Sequence, residues 1–343
     1  MSTSPLRAPM VPITHRMRAY FAPVDRGSET PTIFDPGKYG LFPLDSPPSP
    51  WLDLGWIDGF QRFSGSITEP LRSGSAAAPA TQFRAMLDAR IAFDFREWGK
   101  LQMALACGFE HMNVLATDPD ADAQPSGGTP LSAVAVLPGS TATEIVVGAG
   151  AAASFAAGDI VVVEADYQQQ TGYVGTGISA AYISDPASVN RDVNYVRRVS
   201  FNVGRVAQTT STSLLLAQSL LGGSPLAGFG VQKVIAFVDR EGGSFFQEWS
   251  GLFVAEQGSG GRVCFHYPRL SPSGPYTSLS PSSPVATGAV KLFPREEALE
   301  IASPIASLAL HAAFIAMPHV DENDGQTVMC YRSYFPAGMA AIY

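Results

Sequence analysis

Residues 81–95, TQFRAMLDARIAFDF, constrain the fold more than any other stretch. In their later part Ala89, Ile91, Phe93 and Phe95 fall on one face, and Arg90, Ala92 and Asp94 on the other. A period of two is the spacing of a half-buried strand. The next residues, 96–108 (REWGKLQMALACG), change period. Trp98, Leu101 and Leu105 recur on one face of a helix, and Gly108 stands where a C-cap belongs. A strand running straight into one short helix, over 96–107, is therefore predicted.

The rest of the chain reads as short strands separated by turn residues. MRAYFAPV (17–24) is a strand. Residues 25–50 are rich in Pro, Gly and Asp, which predicts a loop or arm rather than core. DLGWIDGF (53–60) reads as strand, bend and strand, continued by QRFSGSI, with PLRSGSAAAPA (70–80) as a loop. TDPDADAQPSGGTP (117–130) is a linker by composition. Between 131 and 230, short Val/Ile/Leu runs without a convincing amphipathic helix predict a small all-β module, barrel or sandwich. Longer strands return over 231–343: VQKVIAFVD, SFFQEWSGLFVAE, GRVCFHYPR, AVKLFP, SLALHAAFIAMP and QTVMCYRSYFP. A turn at DENDGQ (321–326) separates the last two. The fold class is mainly β: a sandwich or barrel with one flanking α-helix, in two parts (1–130 and 231–343), around an inserted all-β module (131–230).

Composition narrows the function. Charged residues are 15% of the chain, against ~25% in ordinary soluble domains. Two readings fit: a β-rich monomer with long loops, or a surface largely covered in an assembly. A net charge of −8, with no Lys/Arg run longer than two, argues against a protein that grips nucleic acid by its phosphates. Cys107, Cys264 and Cys330 are far apart, which fits neither a disulfide framework nor a Cys-x-x-Cys metal site. No apolar run approaches the ~20 residues of a membrane span, and the N-terminus lacks an apolar signal core. A protein made in a reducing cytosol, without cofactor or metal, is expected.

The candidate chemistry is sparse. Gly148-Ala-Gly150-Ala-Ala-Ala153, with Glu164 and Asp166 beyond, has the outline of a dinucleotide-binding turn. The spacing is too short for a crossover helix, so a hairpin is predicted. Cys107 with His111, and His319 with Asp321, offer two metal ligands each, where a site needs more. Cys264 and His266 share a strand face, which suits packing better than a dyad. Asp53 with Asp58, and Glu296 with Glu297, are carboxylate pairs beside turns, where acids are usually solvated. No G-x-S-x-G is present. Trp51, Trp56, Trp98 and Trp249 sit at core-like spacings, so core is expected before a carbohydrate platform.

The Pro/Gly-rich arm, then DLGWIDGF, then IAFDFREWGKLQMALACG, together resemble the major tail (tail tube) proteins of long-tailed bacteriophages. The similar motifs are Asp53-Leu54-Gly55 ahead of the strand and Ala104-Leu105-Ala106-Cys107-Gly108 ending the helix. The resemblance implies a virion structural protein of the phage tail, made in the host cytoplasm and without catalysis. Its copies would form stacked rings, hexameric or a pseudo-hexameric trimer, around a conduit for DNA. Its partners would be itself and other tail proteins. DNA would pass without specific binding, which net acidity favours because an acidic lumen repels phosphate. Residues 25–50 would then clasp the next ring and order only on assembly, and residues 294–302 are a candidate second helix. Asp53, Leu54, Gly55, Trp56, Ile57 and Asp58 become a candidate subunit contact, the acids solvated or paired with a neighbour's arginine. The alternatives are another tail, neck or baseplate component, or a β-rich hydrolase or carbohydrate-binding module.

Overall fold

Strands from both ends of the chain build one barrel in the computed structural model, which describes residues 16–24, 28–73, 78–106, 108, 111–115, 133–164, 178–180, 201–239, 247–256, 260–273 and 310–336. In chain order the first part holds β1 (Met17–Pro23), a short helix α1 (Pro36–Tyr39), β2 (Leu52–Ser73), β3 (Ala78–Phe95), α2 (Lys100–Leu105) and β4 (His111–Leu115). There follow β5 (Val134–Ala135), β6 (Glu144–Val146), β7 (Ile160–Glu164), β8 (Ile178–Ala180), β9 (Val203–Thr209), β10 (Ser213–Leu216), β11 (Gly230–Lys233) and β12 (Ala236–Val238). The last part holds β13 (Trp249–Glu256), β14 (Arg262–Pro272), β15 (Leu310–Ala316), β16 (His319–Val320), β17 (Thr327–Val328) and β18 (Tyr331–Phe335). The protein is mainly β.

The main sheet runs β13-β1-β2-β3-β15-β14, and β14 returns to pair with β13, so six antiparallel strands close on themselves. β18 lies along the first half of β14, on the edge whose far end holds β15. Closure removes the sheet edges that a half-buried strand set would otherwise expose. The predicted alternation in β3 is the inward face: Ala89, Ile91, Phe93 and Phe95 are all buried. They meet Phe21, Trp249, Phe253, Tyr267 and Phe314 in one cluster. The Phe93 and Phe314 rings stack at 5.6 Å. The barrel is therefore a filled core and not a channel.

The second six-stranded sheet, β5-β11-β7-β9-β10-β6, curls as a half barrel around Ile145, Phe155, Val161, Val163, Leu214 and Val231. Its ends approach each other, and Leu137 N–H donates to the Val146 carbonyl at 2.8 Å. A third sheet, β12-β4-β8, stands where the chain leaves the barrel and re-enters it, with Leu115 opposite Ala236.

Several expectations are corrected. Residues 28–50 are not an arm awaiting a partner. Phe34, Phe42, Leu44 and Trp51 are buried against Tyr20, Leu252, Val254 and Cys264 on the outer face of the barrel. That gives β13 two apolar faces, and all but its last residue are buried. The helix is shorter than 96–107. Gly99 is its extended N-cap, and a Cβ there would stand 2.2 Å from the Gln102 side-chain oxygen. Trp98 therefore lies before the helix, and 49% of it is exposed. Leu101 and Leu105 are buried in the barrel cluster, and Gly108 N–H closes the helix end onto the Met103 and Ala104 carbonyls.

Residues 148–153 form neither a crossover nor a hairpin. β6 pairs with β10, while β7 pairs with β9 and β11. Gly148 and Gly150 take positive φ, and Ala152 and Phe155 carry the connection into the module core. VQKVIAFVD, read as one strand, splits between the module sheet (β11) and the third sheet (β12). QTVMCYRSYFP splits into β17 and β18; DENDGQ is a turn as predicted, but it joins β17 to the short β16 and not directly to β15. The linker 117–130, the strand AVKLFP and residues 294–302 lie outside the described residues.

Candidate subunit-contact site

DLGWIDGF is not a turn between two strands. It lies inside β2, a single strand of 22 residues, and its bend is made by two bulges. Against β1 the register shifts between the pairs Arg18–Trp56 and Tyr20–Asp53; against β3 it shifts between Asp58–Asp94 and Gln61–Ala92. Gly55 (φ 81°) and Gly59 (φ 60°) sit in these bulges, where a left-handed backbone suits glycine. A Cβ on Gly55 would also stand 2.6 Å from the Glu97 carboxyl carbon.

Both acids are engaged within the chain. The Asp53 carboxylate accepts from the Arg18 guanidinium through both oxygens, the longer bond being 3.0 Å, and from Gly55 N–H at 2.9 Å. Arg18 also reaches Asp45 at 2.8 Å, which ties the 28–50 segment to the bulge. The hydrogen bond to Asp53 is the main reason the guanidinium is held protonated even more firmly than usual; burial opposes it, and Asp45 adds to it. Asp58 pairs with Arg96. Asp58 lies opposite Asp94 across β2 and β3, a like-charge pair that would destabilise a sheet. Arg96 and His311, whose Nδ1 is 2.8 Å from Asp94, supply the compensating donors. Between the acids, Leu54 and Ile57 point into the core. Trp56 is half-buried, with the Arg18 guanidinium 5.6 Å from its ring centre.

The stretch therefore places β2 and β3 where they leave the barrel. β1 pairs with β2 only as far as Ile57, and β15 with β3 only over Arg90–Phe95. Beyond, β2 and β3 pair with each other alone as far as Ser73–Ala78. At ~3.3 Å per residue, residues 64–73 with their partners 78–89, clear of both β1 and β15, make a two-stranded ribbon about 33 Å long. Among the described residues neither outer edge of this ribbon is paired. The segment read as the loop 70–80 is largely the ribbon's far end. Among the ribbon's described side chains, Ser64, Ser66, Thr68 and Glu69 are exposed, so these positions carry no apolar alternation to mark a strand.

The other candidates do not assemble into a reactive site where they are described. Cys264 and His266 share a face, but both are buried under the 28–50 segment. Burial pushes the thiol up to about 12 and the imidazole down to about 3. Asp321 accepts from the Tyr331 hydroxyl at 2.7 Å, which holds its carboxyl below the usual range. No group of three or more potential metal ligands occurs among the described residues. Trp51 and Trp249 are core, as expected, while Trp98 is exposed and Trp56 is half-exposed. Cys107, Glu296, Glu297 and the His111 side chain lie outside what is described. No family model matches the sequence, and a search of curated proteins finds no significant relative.

Proposed function

We propose that the protein is a virion structural protein, a tail-tube subunit whose copies pair through the β2–β3 ribbon into rings that stack as a conduit for DNA. The ribbon carries the reading. A two-stranded ribbon is marginal in water by itself, and its edges offer rows of N–H and C=O groups to another strand. Pairing with the same ribbon of a neighbouring copy satisfies them by strand addition. The filled barrel fits this reading too, since a conduit must then come from a ring of copies and not from one chain. Low charge suits a surface covered by neighbours. Trp56, half-buried at the ribbon root beside Arg18, is the side chain of Asp53–Asp58 best placed to touch a neighbour. Leu54 and Ile57 would support it from the core, and Gly55 would aim it.

The test is electron microscopy of the full-length protein at roughly 100 µM, well above micromolar dissociation constants. Rings or tubes of uniform bore are expected, hexameric by preference, with a trimer the alternative. A variant in which residues 65–88 are replaced by an Asn-Gly turn should keep a folded barrel and stay monomeric. Trp56→Ala should weaken rings more than it lowers thermal stability. A wild-type protein that remains monomeric overturns the proposal, as does a ribbon-shortened variant that still forms tubes.

A further inference from the structure

The root of the ribbon carries a second feature, independent of assembly. Between β2–β3 and the segment leading into β18 lies a cavity of about 520 Å³, lined among others by Arg62, Ser64, Leu87, Thr327, Met329 and Arg332. Its volume is in the range of small-molecule sites. Arg62 is fixed there. Its Nε donates to the Tyr267 hydroxyl at 3.1 Å, its guanidinium carbon stands 4.5 Å from the centre of the Phe265 ring, and Nη2 is 3.9 Å from Cys330 Sγ. Arg18, Arg90, Arg96, Arg262 and Arg269 each hold a carboxylate. Among the described residues neither Arg62 nor Arg332 does, and none of the cavity-lining residues is acidic. Among the described residues these two cations have no counter-charge, a local excess in a chain of net charge −8.

We propose that this cavity binds a small organic oxyanion, a carboxylate or phosphate ester on an apolar body. A guanidinium whose plane is already set by a ring and a hydroxyl loses little freedom on receiving such a group, and its Nη donors match two oxygens at once. Arg332 supplies the second charge. The hydroxyls of Ser64 and Thr327 can donate to the same head group, and Leu87 and Met329 offer apolar wall to the remainder. The Cys330 thiol does not cancel this charge: burial pushes its pKa up, so it stays protonated near neutrality.

The test is calorimetric titration of the full-length protein with phenyl phosphate, benzoate and neutral benzyl alcohol at low ionic strength, where such pairs are least screened. Saturable binding of at least one anion and none of the alcohol is expected. The tighter anion identifies the head group. Arg62→Met and Arg332→Met should each weaken it by about tenfold or more, as loss of a charge-assisted contact implies. Arg332 is exposed, so its variant keeps the test valid should the Arg62 variant fail to fold. No saturable binding up to ~10 mM, weaker than any specific site of this kind, overturns the proposal. Equal binding of benzyl alcohol, or unchanged affinity in both variants, also overturns it.

Discussion

His266 shows how one residue's surroundings become a property of the whole fold. It is buried beneath Phe34, Trp51 and Tyr331, with ring centres 5.7–6.4 Å away. Its Nε2 lies 3.3 Å from the Thr32 carbonyl, so the neutral ring carries its proton there, and Nδ1 has no partner among the described residues. Burial is the main cause that lowers its pKa to about 3; the Thr32 hydrogen bond opposes it and His319 adds to it. An unfolded histidine takes up a proton below about 6.5. Between those values the unfolded state binds one proton that the folded state refuses, so stability falls as pH drops, by about 1.4 kcal/mol per pH unit from this group. From pH 7 to pH 5 the loss should approach about 2 kcal/mol, and His266→Gln should lack that part of it. Urea unfolding at the two pH values measures the difference. An equal loss in both proteins would assign the acid sensitivity to other groups.

At the scale of elements, the 28–50 segment acts as a lining for the barrel's outer face. Phe42 is fully buried, with its ring 4.7 Å from Tyr20, 5.6 Å from Phe34 and 6.1 Å from Trp51. Phe42→Ala should cost about 3–5 kcal/mol in denaturant unfolding, the range for emptying a buried aromatic site. A change below about 0.5 kcal/mol, the level of surface substitutions, would mean the segment is only laid on the surface. Deleting residues 28–50 should bare Tyr20, Leu252, Val254 and Cys264 and give insoluble protein. In the sequence this segment is masked by its prolines: they exclude a ladder strand but not apolar packing, and Phe34, Tyr39, Phe42 and Trp51 have no fixed spacing to betray a shared face. β3 was legible because its Phe and Ile residues see core on one side only. Of the ribbon beyond it, Ser64, Ser66, Thr68 and Glu69 are exposed and polar, so no apolar period marks them, although the root at Asp53–Asp58 stood out by its glycines. The helix was legible in Leu101 and Leu105, but its start was set at the extended Gly99, where a Cβ would force the Gln102 side chain to move.

At the scale of the whole molecule, the described residues join module and barrel through the third sheet, in which β8 also pairs with β4. β4 leaves and β12 returns with Leu115 opposite Ala236 and Val114 opposite Phe237. Residues facing each other in such a pair lie about 4.5–5.5 Å apart, a gap that a two-residue turn spans. The barrel and module cores are separate clusters: the first is built on Phe93, Phe253 and Phe314, the second on Val161, Val163, Leu214 and Val231. Among the described residues, Val114 of the junction packs with Val162 and Val234 of the module in a small group of its own. Replacing residues 116–235 by Asn-Gly should therefore leave a barrel that unfolds cooperatively. Its near-ultraviolet dichroism should keep the signal of the buried Trp249, with a stability loss of about 1–3 kcal/mol from baring Val114. If the ribbon alone directs assembly, the shortened protein should still form rings, with less density outside them in electron micrographs. A shortened protein that is folded but monomeric would place assembly contacts in the module; one that cannot fold would make the module part of the barrel's own stability. The ribbon-shortened variant completes the comparison, because it removes the opposite half of the proposed division of labour while leaving the module in place.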